Sequence, residues 1–487
     1  MHNSAKLILE DIFYPKSIAV IGASSDEEKE RRGWVGMLLK FGYQGKLFPI
    51  NPKAKRILGL TAYPSVKEIP EPVDYAILNV PAPSVPKLLI DCAVKGVKVV
   101  HIFAAGFAET GKPEGRKLEK EVQSIIRKSN LRAIGPNCMG VYCPSSGMTF
   151  ADFPKKDGPA ALVCQTGAGI GRIITYARSR GIYFGKAVSY GNAVDLDSYD
   201  FVELLQRDPK THYIALYIEG VKDGKRLFNV VRHCIAAGKP VVMLKAGLTK
   251  AGRDAAASHT GALAGNERAW EAFFTQTGAI QVYTLEEIVE QLVALQYLPR
   301  PAGRRVAIIG RGGGPGVVAA EVCERAGLEV PPFNAETRSQ LEKITTAEAG
   351  SMTRNPVEVG VGRAGAQTGY VDAFRIIAQC PEVDVILTHL NPEAFVIYGG
   401  EPEWLNYSVE ALLGVFKELP KPVALILPNG ETPESRELVE QAWARCSEAG
   451  LATFRSYESA AKAISKLLSH YESAERVRSD NAFETTS

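Results

Sequence analysis

Short apolar segments alternate with segments of helical periodicity along almost the entire chain. In the first part of the sequence the apolar segments cover residues 17–22, 47–51, 73–80, 97–103 and 131–134. Strands that alternate with helices build a parallel sheet, because each crossover between parallel strands needs a long connection. The same alternation returns twice further along the chain. The sequence therefore predicts an α/β fold with three doubly wound parallel-sheet domains. These are expected at residues 1–147, 155–300 and 303–470, with a flexible tail at 471–487.

The charge and cysteine content exclude several classes of protein. The 57 basic and 54 acidic residues leave a net charge of +3, too small to indicate nucleic acid or a membrane surface as a partner. The eight cysteines include no Cys-x-x-Cys pair, so neither a zinc ribbon nor a thioredoxin motif is present. The first residues contain no apolar run of the length of a signal-sequence core, and no apolar run in the chain approaches the length of a membrane span. We expect a cytoplasmic enzyme without a metal site of its own.

The strands of the first domain end in loops that are rich in small residues. These loops read GAS at 22–24, NPK at 51–53, NVPA at 79–82, AAGF at 104–107 and GPNC at 135–138. Ligands of doubly wound sheets bind at the carboxyl ends of the strands, so the loops predict one crevice for a long ligand. The first turn lacks the Gly-x-Gly-x-x-Gly fingerprint, which argues against NAD or FAD as that ligand.

Two strand ends of the second domain carry polar residues suited to phosphate chemistry. Gln165, Thr166 and Gly167 join a strand to a helix, and a hydroxyl group, backbone amides and the helix dipole together predict a phosphate site. Glu219 follows another strand. A carboxylate at this place is either a functional group or a helix cap.

A single histidine, His259, lies in a loop of small residues that extends from Ala255 to Gly265. The glycines let the backbone change conformation at low cost, which favours a loop that carries a nucleophile to its substrate. The other interpretation is a flexible surface loop with an incidental histidine. If His259 attacks phosphorus, a carboxylate such as Glu219 would hold its tautomer and stabilise the cation that forms.

The motifs occur in the order of a known family. They are VIGAS at 20–24, INPK at 50–53, VPAP at 80–83, AAGF at 104–107, GPNC at 135–138, QTGA at 165–168, YIEGVKDG at 217–224, VVMLKAG at 241–247 and SHTGALAG at 258–265. With them the sequence resembles the α subunit of the ADP-forming acetyl-CoA (acyl-CoA) synthetases, relatives of succinyl-CoA synthetase. The resemblance implies a Rossmann-like CoA-binding domain, a flavodoxin-like domain with a phosphohistidine, and a second flavodoxin-like domain.

The reaction that the resemblance implies is the interconversion of acyl-CoA, phosphate and ADP with the free acid, CoA and ATP. The resemblance assigns the transient phosphohistidine to His259 and the stabilising carboxylate to Glu219. It assigns phosphate binding to Gln165, Thr166 and Gly167, and the acyl–thioester end to Gly106 and Asn137. The CoA contacts that it implies are Gly22, Ala23, Ser24, Lys53, Val80 and Ala82.

Family members also need an ATP-grasp module for the nucleotide, and three α/β domains leave no room for one in this chain. The resemblance therefore implies a separate β subunit that binds ATP or ADP with Mg²⁺, in an assembly expected to be α2β2. One departure from the family concerns residues 25–32, which are highly charged where relatives have a shorter stretch containing glycine. This stretch is expected to alter the grip on the phosphates of CoA.

Two other functions stay open at this point. A non-catalytic or regulatory subunit that binds acyl-CoA would keep the fold, although it would need neither His259 nor Glu219. A nucleotide-dependent oxidoreductase would also use Rossmann domains, and the missing glycine fingerprint argues against it.

Overall fold

The computed structural model describes residues 8–253, 266–310, 313–344, 353–358, 366–393 and 403–484. These residues divide into two compact units. One comprises the chain up to Arg178, from Tyr183 to Ile288 and from Ser473 onward, and the other comprises Ser179–Ile182 and Val289–Glu472. His259 belongs to the segment 254–265, which lies outside the described residues.

The first seven strands are β1 (Ser17–Ile21), β2 (Lys46–Ile50), β3 (Arg56–Ile57), β4 (Leu60–Thr61), β5 (Tyr75–Leu78), β6 (Val99–Ile102) and β7 (Arg132–Ile134). Strands β3 and β4 form a small antiparallel pair. The other five form a parallel sheet in the order β2-β1-β5-β6-β7. Its helices are α1 (Leu9–Phe13), α2 (Glu27–Arg31), α3 (Trp34–Phe41), α4 (Val85–Lys95) and α5 (Pro113–Arg127).

The second sheet contains β8 (Gly140–Tyr142), β9 (Ala160–Cys164), β10 (Phe184–Ser189), β11 (Tyr213–Ile218), β12 (Val241–Lys245) and β13 (Ile280–Val282). The order is β13-β12-β11-β9-β10-β8, and all neighbours are parallel except β8, which runs antiparallel to β10. The associated helices are α6 (Gly167–Ser179), α7 (Ser198–Arg207), α8 (Gly224–Ala236), α9 (Glu267–Thr277) and α10 (Leu285–Tyr297).

Strand β8 lies inside the range 1–147 that the sequence assigned to the first domain, yet it pairs with the second sheet. The chain leaves the first sheet after β7, and the backbone groups of β8 find their partners along the free edge of β10. The boundary between the first two domains stays a prediction.

The third sheet lies in the other unit. Its strands are β14 (Val306–Gly310), β15 (Val357–Glu358), β16 (Val385–His389), β17 (Val423–Ile426) and β18 (Ala452–Phe454), all parallel in the order β15-β14-β16-β17-β18. Its segment of the chain also contains α11 (Gly313–Arg325), α12 (Ala335–Ile344), α13 (Ala366–Gln379), α14 (Glu403–Val415), α15 (Pro433–Ala449) and α16 (Tyr457–Glu484).

The three sheets confirm the predicted α/β fold class. Central strands such as β1 and β9 are buried at every position, because helices cover both faces of a doubly wound sheet. That burial explains why these strands read as uninterrupted apolar runs. Within the described part of the chain, no helix combines the length and the apolarity needed to cross a membrane.

The end of the chain differs from the sequence-based expectation of a flexible tail at 471–487. Helix α16 continues to Glu484, so 471–484 is helical. Ala474 and Val477 are both buried. These two small apolar side chains, three positions apart, give an otherwise polar segment one face that can pack.

Candidate active site

The carboxyl ends of β5, β6, β7 and β9 surround a cavity of about 590 Å³. Five of the residues singled out from the sequence line it, namely Val80, Asn137, Gln165, Thr166 and Gly167. The other residues expected to bind CoA or the thioester, Gly22, Ala23, Ser24, Lys53, Ala82 and Gly106, lie outside its lining. The cavity is thus shared by Val80 and Asn137 of the first domain and by the predicted phosphate turn, which is residues 165–167.

The turn after β1 requires glycine at position 22. Gly22 has φ +94°, and a Cβ atom there would lie 2.2 Å from the carbonyl oxygen of Asn79. The residue that follows, Ala23, is buried. Close approach to the loop after β5 therefore fixes this turn, and with it Val80 at the cavity wall.

A buried carboxylate accepts hydrogen bonds from backbone amides beside this turn. Glu30 is only 3% exposed, although it lies in the charged stretch 25–32. The amide of Ser24 donates to Glu30 Oε2 at 2.6 Å, and the amide of Val35 in the first turn of α3 donates to Oε1 at 3.0 Å. One charge of the stretch is therefore turned inward, onto groups that could otherwise bind a phosphate.

The turn after β2 is tied to the turn after β1 by Asn51. Its side-chain amide donates to the carbonyl oxygen of Ala23 at 2.8 Å, and its Oδ1 accepts from the amide of Lys53 at 2.9 Å. Lys53 itself is exposed. Its ammonium group is therefore available to an anionic ligand that lies along this edge of the sheet.

A second carboxylate lies at the predicted acyl end. Glu109 accepts hydrogen bonds from the amides of Gly106 at 2.6 Å and Phe107 at 3.1 Å. Asn192 donates to the same carboxylate at 2.6 Å, and its Oδ1 accepts from Asn137 Nδ2 at 3.5 Å. Gly106 and Asn137 are thus connected through two side chains that the sequence analysis missed.

The predicted phosphate turn, residues 165–167 after β9, is held in place by a neutral side chain. Gln165 is 6% exposed, and its Oε1 accepts from the amides of Glu219 at 2.8 Å and Gly220 at 3.1 Å. Because the oxygen is engaged in this way, the NH2 group of the same amide is the end that can donate to a ligand. Helix α6 begins directly at Gly167, so its positive end also faces the turn.

Glu219 follows β11 directly and is 5% exposed. The hydroxyl of Tyr217 donates to Glu219 Oε1 at 3.2 Å. Burial and this carboxylate raise the pKa of Tyr217, so the phenol stays protonated as a donor. The hydrogen bond from the amide of Glu219 to Gln165 Oε1 places Glu219 next to the turn after β9. The roles of both residues stay predictions, since His259 lies outside the described residues.

Lys245 is a further polar residue that the sequence analysis did not select. It ends β12 beside β11, opposite Ile218 in the register, and is 4% exposed. Its Nζ donates to the carbonyl oxygen of Glu219 at 2.7 Å. Burial lowers the pKa of Lys245 to about 8, against the attraction of the Glu219 carboxylate. A lysine at the end of the apolar strand VVMLK was the only signal available in the sequence.

The described residues contain no group of three or more His, Cys, Asp or Glu side chains that could hold a metal ion. All eight cysteines are buried as free thiols. Burial raises the pKa of the Cys164 thiol, next to the phosphate turn, so that it stays protonated.

Comparison with known proteins gives matches over most of the chain. Residues 16–144 match the CoA-binding domain family, and residues 157–295 match the succinyl-CoA ligase-like flavodoxin domain. The α subunit of the ADP-forming acetate–CoA ligase II of Pyrococcus furiosus is 38% identical, covering 89% of this chain and 93% of the relative. The ADP-forming acetate–CoA ligase I of Archaeoglobus fulgidus is 40% identical over 79% of this chain, but the match spans 55% of that longer relative.

A solved structure also matches nearly the whole chain. It is the dinucleotide forming acetyl-coenzyme A synthetase 1 of Ca. Korarchaeum cryptofilum in complex with phosphate and ADP. The TM-score is 0.82 at 29% sequence identity, with 97% of this chain and 98% of the other covered.

Proposed function

This chain belongs to the family of ADP-forming acyl-CoA synthetases, and we propose that it is the α subunit, which performs the acyl-CoA half of the reaction. Phosphate attacks the thioester carbonyl carbon, the C–S bond breaks, and CoA leaves as the thiol. The product is an acyl phosphate. A ring nitrogen of His259 then attacks phosphorus, the bond between phosphorus and the acyl oxygen breaks, and the carboxylate leaves.

One observation supports this assignment above all others. Val80 and Asn137, from the expected CoA and acyl sites, line the same cavity as Gln165, Thr166 and Gly167. A thioester entering from the first sheet and a phosphate bound at the second would meet there. Holding two reactants in contact removes much of the entropic barrier to the first step.

The electrostatics of the phosphate turn suit an anion. The NH2 group of Gln165 and the N-terminus of α6 both face it. Each carries a partial positive charge but no net charge, so neither needs a counter-ion when the site is empty. The hydroxyl of Thr166 accepts from the amide of Gly169 at 3.4 Å and can donate its own proton to a phosphate oxygen. In the second step the carboxylate of Glu219 would orient the imidazole and stabilise its cation.

The nucleotide half of the reaction is assigned to a partner. The P. furiosus relative is named as a subunit, and the A. fulgidus relative extends well beyond the match. We propose an ATP-grasp β subunit that binds ATP or ADP with Mg²⁺, in an α2β2 assembly. Phosphohistidine on His259 would pass its phosphoryl group to ADP at that site.

The first test uses the chain alone with radiolabelled phosphate and a panel of acyl-CoA thioesters. We expect an acid-labile, base-stable label, and its loss by at least about 10³-fold in His259→Ala, because no other nucleophile takes over the transfer. CoA binding should stay within about twofold of the wild type, since the CoA contacts lie in the first domain.

Two outcomes would count against the proposal, and one control guards against a misfolded variant. Equal labelling of His259→Ala would place the phosphoryl group elsewhere. If that variant also lost CoA binding, His259→Asn would be measured in its place, with the same expectation. No label with any thioester, even after addition of a β subunit, would favour the non-catalytic subunit.

A further inference from the structure

Lys245 carries a positive charge in a place where lysine is seldom found. Its side chain is almost completely buried, and Lys is rarely buried without a partner for its charge. The Nζ atom donates to the carbonyl oxygens of Glu219 and Ala246, and it lies 5.2 Å from the ring centroid of Trp270. Among the described residues, two carbonyl dipoles and an aromatic face therefore compensate the charge.

These three contacts connect the parts of the second sheet that matter for phosphoryl transfer. Glu219 is the expected partner of His259, and Ala246 is where the chain leaves β12 toward that histidine. Trp270 lies in α9, further along the chain. The same turn reaches the phosphate site, because the amide of Glu219 donates to Gln165 Oε1.

We propose that Lys245 is a positioning residue for the phosphoryl-transfer step. Its ammonium group fixes the backbone that carries Glu219, and it places a positive charge beside the carboxylate that must stabilise the phosphohistidine. An ammonium group has three N–H donors, and the described residues supply two carbonyl acceptors. This inference rests on the proposed function.

The pKa of Lys245 depends on two effects within the described part of the chain, burial and the charge of Glu219. Tyr217 on β11 and Cys164 on β9 face the same carboxylate, and the pKa of each is raised by burial, so both stay neutral at the pH values of interest. Trp270 contributes no charge from α9.

The chain offers a matched control. Lys239 precedes the other end of β12 and likewise donates to two backbone carbonyl oxygens, those of Leu205 and Asp208. Lys245→Met and Lys239→Met therefore remove the same kind of contact at opposite ends of one strand. Only the first removes it at the carboxyl end, where ligands of such sheets bind.

The experiment measures the rate at which the full chain is labelled by radioactive phosphate with acetyl-CoA. Lys245→Met should lower this rate by about 100-fold, the loss expected when a reacting group is displaced by about 1 Å. Lys239→Met should leave it within about twofold. Equal rates in the two variants would overturn the proposal. Failure to label the wild type with any thioester of the panel, even after addition of a β subunit, would instead overturn the proposed function.

A pH profile separates the charge from a merely structural contact. A lysine with a pKa of about 8 loses its proton as the pH rises through that value, so wild-type labelling should fall by about tenfold per unit above it. Lys245→Arg, which stays charged, should be flat to about pH 10. A wild-type profile without the alkaline decline would contradict the role of the charge. This measurement needs no variant, so it decides even if the substituted chains fold poorly.

Discussion

The turns after β1 and β9 each follow the first parallel strand of their sheet, but the buried side chain at the first is charged and the one at the second is neutral. After β1, the carboxylate of Glu30 accepts from the amides of Ser24 and Val35. After β9, the neutral amide oxygen of Gln165 accepts from the amides of Glu219 and Gly220. Both side chains are buried, and both satisfy two backbone donors.

The difference indicates which kind of phosphate each turn can accept. A fixed carboxylate repels an approaching anion, so the first turn suits a ligand that is held mainly by other contacts, as a long CoA molecule would be. The second turn adds no charge and faces the cavity, so it suits a small anion that must be bound there alone. If the proposed function holds, the charge of one buried side chain adapts each turn to its own ligand.

The strongest way to break this comparison is to give the second turn the charge of the first. Gln165→Glu keeps the shape and can still accept from both amides, but it places a carboxylate beside the phosphate. We expect labelling by phosphate and acetyl-CoA to fall by about 10³-fold, with CoA affinity unchanged. Labelling at the wild-type rate would show that phosphate does not bind at this turn.

The sequence predicted the second turn better than the first, for a physical reason. Gln165 and Glu219 directly follow apolar strands, and parallel strands bring their carboxyl ends to one edge, so the pattern placed both. Glu30 belongs to a short helix whose five residues, EEKER, are all charged. Periodicity cannot tell which of these side chains turns inward, because tertiary contacts with Ser24 and Val35 decide it.

Tertiary contacts that the sequence pattern does not reveal also determine the surroundings of Lys245 and the last helix. Nothing in the strand VVMLK shows that its lysine donates to the carbonyl oxygen of Glu219, which directly follows the neighbouring strand. The helical part of 471–484 depends on the burial of Ala474 and Val477, which a polar composition conceals. The local sequence pattern therefore predicts where a strand or helix ends. Tertiary contacts decide which groups the charged side chain at that end contacts.

The comparison can be sharpened through the glycines of the two turns. In Gly22→Ala the new methyl group meets the carbonyl oxygen of Asn79 at 2.2 Å in a backbone with φ +94°. In Gly167→Ala it meets the flexible side chain of Met139 at 3.2 Å. We expect the first change to lower the free energy of unfolding by about 3 kcal/mol and the second by less than about 1 kcal/mol.

Thermal unfolding followed by circular dichroism would measure both variants. A fall of several degrees in the Tm of Gly22→Ala, with little change in Gly167→Ala, would show that close contact with the loop after β5 holds the first turn. Similar Tm values for the two variants would mean that the loop after β5 can move to accommodate the methyl group. The contact with Gly22 would then not fix the position of Val80.

The smallest expected effect comes from removing the charge of the first turn. Glu30→Gln keeps one acceptor for Ser24 or Val35 and is expected to lower stability by about 1–2 kcal/mol, because one buried amide loses its partner. CoA should nevertheless bind about threefold to tenfold more tightly at low salt, since its phosphates no longer approach a fixed carboxylate. Isothermal titration at rising salt concentration should show this advantage shrinking, because exposed phosphates are screened. Weaker CoA binding at an unchanged Tm would reverse the interpretation. Glu30 would then hold the backbone of the turn in the conformation that binds CoA. The two turns would differ in charge, but both buried side chains would have the same role of ordering a binding site.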